Sequence, residues 1–151
     1  MSTRNLEPIK ILFLCTGNSC RSQMAEGWAR HLLRDRVQPH SAGVDPGTLD
    51  PRAVEVMAEV GIDISNQYSK GLAEVLEVPL DLVVTVCDRA QESCPIFPSH
   101  TLVRHVDIED PPRLARHVGS SEEALDIYRR VRDQIRAFVE TLPDTLRLDR
   151  A

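Results

Sequence analysis

KILFLCTGNSCRS, residues 10–22, places an apolar run directly before a short polar loop that holds a glycine, two cysteines and an arginine. The run Lys10–Cys15 is typical of a strand buried on both faces of a sheet. Apolar residues then recur at helical spacing from Met24 to about Arg36. The stretch therefore predicts a strand, a tight loop and an amphipathic helix.

The rest of the chain alternates strands and helices in the same way. Further strands are expected at His40–Gly43, Asp81–Cys87 and Leu102–Val106. Further helices are expected from the Asp50–Pro51 cap to Gly61, at Gly71–Val78, and from the capping box Ser120–Glu123 to Pro143. Such alternation predicts a parallel sheet with right-handed crossovers, an α/β three-layer sandwich. Residues 1–151 show no repeat or linker and are expected to form a single domain.

Composition and charge exclude several classes of protein. The 151 residues are 42% hydrophobic and 27% charged, which argues against a disordered or collagen-like chain. A net charge of −5 argues against nucleic acid as a partner, since the one basic cluster, Arg129, Arg130 and Arg132, lies in a predicted helix rich in acidic residues. The longest apolar run, Ile11–Cys15, is too short for a membrane span, and residues 1–8 lack the apolar stretch of a signal peptide. We therefore expect a cytoplasmic monomer that contacts no membrane.

The loop between the first strand and helix has the features of an oxyanion site. Backbone N–H groups at a strand–helix junction point inward and add to the positive end of the helix. Arg21 supplies a planar fork for a tetrahedral anion, and the same field favours a Cys15 thiolate that Ser22 would hold by a hydrogen bond. The expected substrate-binding residues are Thr16, Gly17, Asn18, Ser19, Cys20 and Arg21. The alternative is a strand-end cysteine beside an ordinary surface arginine.

The four cysteines fall into two pairs, Cys15/Cys20 and Cys87/Cys94. Cys15 and Cys87 each end a predicted buried strand, so both are expected at the same crevice of the sheet. Four and six residues separate the members of the pairs, whereas zinc sites favour two to four. No metal is therefore expected. Cys87 and Cys94 are either core thiols or redox partners of Cys15.

Five segments carry a family resemblance. They are CTGNSCRSQMAEGW (15–28), SAG (41–43), DISN (63–66), DLVVTVCDRAQESCP (81–95) and EDP (109–111). Together they resemble the thioredoxin-coupled arsenate reductases, which share the low-molecular-weight tyrosine phosphatase fold, over roughly residues 9–140. The resemblance implies a four-stranded parallel sheet and a nucleophilic Cys15.

The resemblance also implies a mechanism. Arsenate would be reduced to arsenite by a relay through Cys15, Cys87 and Cys94, with thioredoxin as external reductant and no bound cofactor. Asp110 follows the predicted strand Leu102–Val106, where a carboxylic acid can protonate a departing oxygen, and it resembles the general acid of the family. Cys20 is expected to fill the loop rather than to join the relay.

Two other functions remain open at this stage. One is a low-molecular-weight protein tyrosine phosphatase, although Pro112 and Arg113 stand where that branch carries an aromatic residue after Asp-Pro. Weak phosphatase side activity is expected in any case. The other is a non-catalytic oxyanion or redox sensor, which would form a disulfide without turnover.

Support for the loop is expected from Asn18, Glu26, Ser41 and Lys70. In some members of the family a monovalent cation lies beside the loop, and Lys70 resembles the position of a carboxylate that holds it. We expect the Lys70 ammonium to take the place of that cation, bonding oxygens of Asn18 and Ser41 and pairing with Glu26. The alternative is that Lys70 points into water.

Overall fold

The computed structural model describes residues 7–92 and 94–150. Within these ranges the strands are β1 (Ile9–Cys15), β2 (Val37–Gly43), β3 (Leu82–Thr85) and β4 (Leu102–His105). The α-helices of the same ranges are α1 (Arg21–Leu33), α2 (Pro51–Glu59), α3 (Asp88–Glu92), α4 (Pro111–Ala115) and α5 (Ser121–Arg150). The prediction that residues 1–8 form no signal peptide concerns residues that lie mostly outside these ranges.

The strands form one parallel sheet in the order β2-β1-β3-β4. Four consecutive residues of β1, Ile11–Leu14, are completely buried. Because neighbouring residues of a strand point to opposite faces, both faces of the sheet are covered. The predicted α/β fold with a four-stranded parallel sheet is confirmed.

β2 begins three residues earlier than the sequence suggests and includes Pro39, which pairs with Ile11 of β1. Proline has no N–H to donate, but β2 lies at the edge of the sheet, where one side of the strand needs no partner. The predicted α2 is confirmed at its N-terminus, since the Asp50 carboxylate accepts a hydrogen bond from Arg52 N at 2.9 Å. Gly61 then ends the turn after α2 with a positive φ of 83°.

Two helix predictions had the wrong length. The stretch Gly71–Val78 contains only a 3-10 turn at Leu72–Glu74. The last helix does not end at Pro143 but continues through it to Arg150. Its buried stripe includes Val139 and extends past the proline to Leu146, and this burial offsets the cost of about 3 kcal/mol for an interior proline.

The carboxyl ends of the central strands β1 and β3 lie side by side, as the register Leu14 to Thr85 requires. The loop after β1 leads into α1, and the segment after β3 leads into α3. The residue predicted as nucleophile and the second predicted redox cysteine therefore enter the same edge of the sheet.

Candidate active site

Residues 15–21, here called the oxyanion loop, are held from outside through their carbonyl oxygens. Four main-chain N–H groups of the segment after β2 donate to them: Val44 to Cys15 (3.0 Å), Asp45 to Thr16 (2.8 Å), Gly47 to Gly17 (2.9 Å) and Asp50 to Ser19 (2.9 Å). Within residues 7–92 and 94–150, no main-chain oxygen accepts a hydrogen bond from the N–H groups of residues 16–20. These groups are thus available to an anion at the N-terminus of α1.

Cys15 is the last residue of β1, and its thiol is nearly buried. Its Sγ lies 2.8 Å from the Oγ of Ser22, so the contact predicted from the sequence is present. Ser22 is itself completely buried and accepts a hydrogen bond from Nδ2 of Asn18 at 2.8 Å. A hydroxyl in this position stabilises a thiolate by donating to it.

Asn18 shapes the loop from within. It has a left-handed backbone with φ of 50°, a conformation that asparagine tolerates better than most residues. Its Oδ1 accepts from Nε2 of Gln23 at 3.0 Å and from the main-chain N–H of Lys70 at 2.9 Å. Three of the four hydrogen-bonding positions of this buried amide are therefore occupied, as expected for a residue that supports the loop.

Arg21 reaches across the sheet edge to the segment after β4. Its Nη1 donates to the carbonyl oxygen of Ile108 at 2.9 Å, and its Nη2 lies 3.8 Å from Oδ2 of Asp110. The Asp110 side chain is 38% exposed and makes no capping bond at the start of α4. A carboxyl group beside the guanidinium and open to solvent is suited to exchanging protons with a bound oxyanion.

Cys87 lies against the oxyanion loop. Its Sγ is 3.2 Å from Oγ1 of Thr16, the residue that follows Cys15. The N–H of Ala90 in α3 points to the same sulfur at 3.4 Å, and Cys87 is 7% exposed. The structure therefore brings the second thiol into contact with the residue that follows the predicted nucleophile.

The thiols of the other two cysteines, Cys20 and Cys94, both have raised pKa values. Burial, followed by the charge of Asp50, raises the pKa of the Cys20 thiol well above its usual value. Cys94 is half-buried on the core, and burial raises its pKa as well. Its main-chain N–H bonds to Gln91 at 3.4 Å, which places Cys94 just beyond α3 rather than against the loop.

The contacts of Lys70 differ in part from the prediction. Its Nζ donates to the main-chain oxygen of Ser41 at 3.1 Å and lies 4.6 Å above the ring centre of Tyr68. The predicted bond to Asn18 is made by the main chain of Lys70 instead, because the backbone passes directly beside Asn18.

The predicted ion pair of Lys70 with Glu26 was wrong. The Glu26 carboxylate accepts from Arg30, one helical turn along α1, and from the Ser41 hydroxyl, both at 2.6 Å. Arg30 stands four residues from Glu26 on the same helix, the spacing that favours such pairs. Burial lowers the pKa of Lys70, while the charge of Glu26 opposes that effect.

Sequence reasoning missed two residues that hold the loop. Gln23 is completely buried and bonds to Asn18. The Tyr128 hydroxyl, from the middle of α5, donates to the carboxylate of Asp50. Gln23 adjoins the recognised loop and could have been noticed as a polar residue before an apolar stripe, but no sequence signal links Asp50 to a tyrosine 78 positions away.

The described residues contain no group of three His, Cys, Asp or Glu side chains that could hold a metal ion. Nor does any helix in the ranges 7–92 and 94–150 combine the length and the apolar character that crossing a membrane requires.

A cysteine at the end of a parallel strand, an oxyanion loop closed by arginine and a facing aspartate together define a class of enzyme that handles tetrahedral oxyanions through a thiolate. The sequence pattern of the low molecular weight phosphotyrosine protein phosphatases matches residues 10–151. The chain belongs to that family.

Individual relatives are similar to this chain over most of its length. An arsenate reductase of Bacillus subtilis (strain 168) is 48% identical over 135 residues, covering 87% of this chain and 95% of that protein. A solved arsenate reductase in the oxidized state matches with a TM-score of 0.74 and 33% identity, covering 88% of this chain and 95% of that one. A Corynebacterium glutamicum thioredoxin-dependent arsenate reductase, 23% identical, shares the fold with a TM-score of 0.69, covering 94% of this chain and 65% of that one.

Proposed function

We propose that this protein reduces arsenate to arsenite through a three-cysteine relay that thioredoxin regenerates. The observation that carries the proposal is the position of Cys87, whose sulfur contacts Thr16 directly beside Cys15. Hydrolysis of a phosphoester needs one thiol, whereas reduction of arsenic(V) to arsenic(III) needs two electrons, which a pair of thiols supplies by forming a disulfide. The name shared by relatives of 41–48% identity supports the same function.

In the first step, arsenate binds to the N–H groups of the oxyanion loop and to Arg21. The Cys15 thiolate attacks arsenic, and Asp110 protonates the oxygen that leaves as water. The product is a covalent adduct between the Cys15 sulfur and arsenic(V). Ser22 favours the thiolate before the attack because its hydroxyl lies 2.8 Å from the sulfur.

In the second step, the Cys87 thiolate attacks the Cys15 sulfur. The sulfur–arsenic bond breaks, its electron pair stays on arsenic, and arsenite leaves as arsenic(III). A Cys15–Cys87 disulfide forms in exchange. The N–H of Ala90, 3.4 Å from the Cys87 sulfur, favours the thiolate that this attack requires.

In the third step, Cys94 attacks the Cys87 sulfur and releases Cys15 as a thiolate. Cys87 and Cys94 flank α3, whose five residues, Asp88–Glu92, rise about 7.5 Å along the helix axis. A disulfide needs Cα atoms about 4.4–6.8 Å apart, so α3 has to unwind or bend for this bond to form. The resulting Cys87–Cys94 disulfide is then reduced by the dithiol of thioredoxin, and no bound cofactor takes part.

We propose that the protein acts in the cytoplasm, the compartment in which thioredoxin keeps thiols reduced, and that it acts as a monomer. Lys70 is proposed to stand in for a monovalent cation beside the loop. Its ammonium group donates a hydrogen bond to the carbonyl oxygen of Ser41. A carbonyl oxygen in this position could otherwise coordinate a potassium ion.

Phosphatase activity is the second candidate, because Cys15, Arg21 and Asp110 also suit the hydrolysis of a phosphoester. Arsenite production is measured with thioredoxin, thioredoxin reductase and NADPH, and p-nitrophenyl phosphate hydrolysis is followed in parallel. The wild type should turn over arsenate, and Cys15→Ser should lose both activities. Cys87→Ser and Cys94→Ser should lose only turnover with thioredoxin.

Each other outcome selects another function. Hydrolysis without arsenite makes the protein a phosphatase. A disulfide without turnover makes it a sensor. Continuous reduction by both Cys87→Ser and Cys94→Ser would reject the relay.

A further inference from the structure

The side-chain amide of Asn18 has two orientations of nearly equal shape, and its neighbours select one of them. Its Oδ1 accepts from the main-chain N–H of Lys70 at 2.9 Å and from Nε2 of Gln23 at 3.0 Å. Both partners are donors, so the Asn18 NH₂ group cannot take that position. Nδ2 therefore faces the Oγ of Ser22 at 2.8 Å.

The orientation of Gln23 is fixed in turn by main-chain oxygens. Its Nε2 lies 2.9 Å from the carbonyl oxygens of both Asn18 and Tyr68. Carbonyl oxygens only accept, so a reversed Gln23 amide would set its own oxygen against them. Gln67 secures the opposite end by donating to Oε1 of Gln23 at 2.7 Å.

The direction of these hydrogen bonds determines whether the Ser22 hydroxyl donates its proton to the Cys15 sulfur. Ser22 is completely buried and has one hydroxyl proton. Because Asn18 already donates to the Ser22 oxygen, the proton is left for Cys15 Sγ, 2.8 Å away. With Asn18 reversed, Ser22 would donate to Asn18 and turn its lone pairs to the sulfur, which disfavours a thiolate.

We propose that Gln23 is a positioning residue that fixes the direction of the hydrogen-bond chain from Asn18 through Ser22 to Cys15. It acts through Asn18 and Ser22 and bonds to neither the sulfur nor the N–H groups that face the substrate. The inference rests on the proposed function only in taking Cys15 as the reactive thiol.

The test follows the pH dependence of Cys15 alkylation by iodoacetamide, with the modified residue located by peptide mass spectrometry. Gln23→Met keeps the side-chain volume and removes both donors, while Gln67→Met is the matched control on the far side of Gln23. Ser22→Ala removes the final donor.

The midpoint of alkylation should rise by at least about one pH unit in Ser22→Ala and by about half a unit in Gln23→Met. The smaller effect of Gln23→Met reflects the Lys70 N–H, which remains on Asn18. Gln67→Met should shift the midpoint by less than about 0.2 units.

A double variant separates positioning from general support of the fold. If Gln23 acts through Ser22, then Gln23→Met should add no shift to Ser22→Ala. An additive shift, or no shift in Gln23→Met, would overturn the proposal.

Gln23→Glu replaces Gln23→Met if the latter does not fold, and its carboxylate should raise the midpoint in the same direction. An unchanged midpoint in folded Gln23→Glu would also overturn the proposal. Alkylation involves no arsenate, so a failure of arsenate reduction would reject the proposed function and leave this result standing.

Discussion

Gly43→Ala would place a methyl group directly beneath the oxyanion loop. A Cβ at this position would meet three main-chain atoms of the loop: Thr16 O at 2.6 Å, Asn18 N at 2.8 Å and Gly17 C at 2.9 Å. Bringing the shortest of these contacts to an ordinary 3.4 Å moves the backbone by about 0.8 Å. Overpacking of this kind costs about 1–3 kcal/mol, and main-chain atoms on all sides favour the upper half of that range.

Gly47→Ala is the matched control, because its Cβ would meet nothing closer than the Gly17 oxygen at 4.0 Å. Its φ is not positive, so this variant should be unchanged or more stable by up to about 1 kcal/mol. Urea denaturation should therefore give changes of opposite sign for the two variants.

Inhibition by inorganic phosphate provides a second measurement, since displaced amides at Asn18 and Gly17 would hold an oxyanion less well. The inhibition constant should rise about tenfold in Gly43→Ala, which corresponds to about 1.4 kcal/mol. Equal stability and equal phosphate inhibition in Gly43→Ala and Gly47→Ala would refute the reasoning.

Three further variants test single contacts. Asp110→Asn should slow the first chemical step by about 10²–10⁴-fold, and single-turnover arsenate kinetics at the wild-type rate would remove Asp110 from the role of acid. Lys70→Ala should lower the melting temperature and respond to potassium, whereas the wild type should behave alike in sodium and potassium at fixed ionic strength; a potassium-specific rise in the wild type would contradict this. Tyr128→Phe should cost about 1–3 kcal/mol in urea denaturation by removing the bond to Asp50, while Tyr68→Phe should change little. Burial, followed by the bond to Asp50, holds the pKa of Tyr128 far above its ordinary value. The stability that the wild type has over Tyr128→Phe should therefore be complete below about pH 10 and decrease as the pH rises further. A stability difference that does not change with pH would contradict this.

Predictions from the sequence succeeded where the signal is local. The strand at Lys10–Cys15, the helix cap at Asp50 and the capping box at Ser120 each depend on residues within a few positions of one another, and all three are present. The proximity of Ser22 to Cys15 follows from the same short loop. Cys87 was also predicted to lie near the loop because it ends a buried strand, and its sulfur does contact the loop.

The predictions failed where packing from a distance decides. A proline usually ends a helix, but α5 continues because Leu146 is buried beyond it. The segment at Gly71–Val78 has helical composition, yet Gly71 bridges to Gly43 and the main chain of Lys70 serves the loop, so only one 3-10 turn forms. The ion pair of Glu26 went to Arg30, a nearer competitor on the same helix.

The stoichiometry of arsenite released without any reductant tests the relay most directly. Reduced wild-type protein is mixed with excess arsenate, arsenite is quantified, and disulfides are assigned by peptide mass spectrometry under acid quench. The relay predicts one arsenite per chain, a Cys87–Cys94 disulfide in the wild type and a trapped Cys15–Cys87 disulfide in Cys94→Ser. Release of no arsenite, or one arsenite per chain with Cys87 still a free thiol, would contradict it.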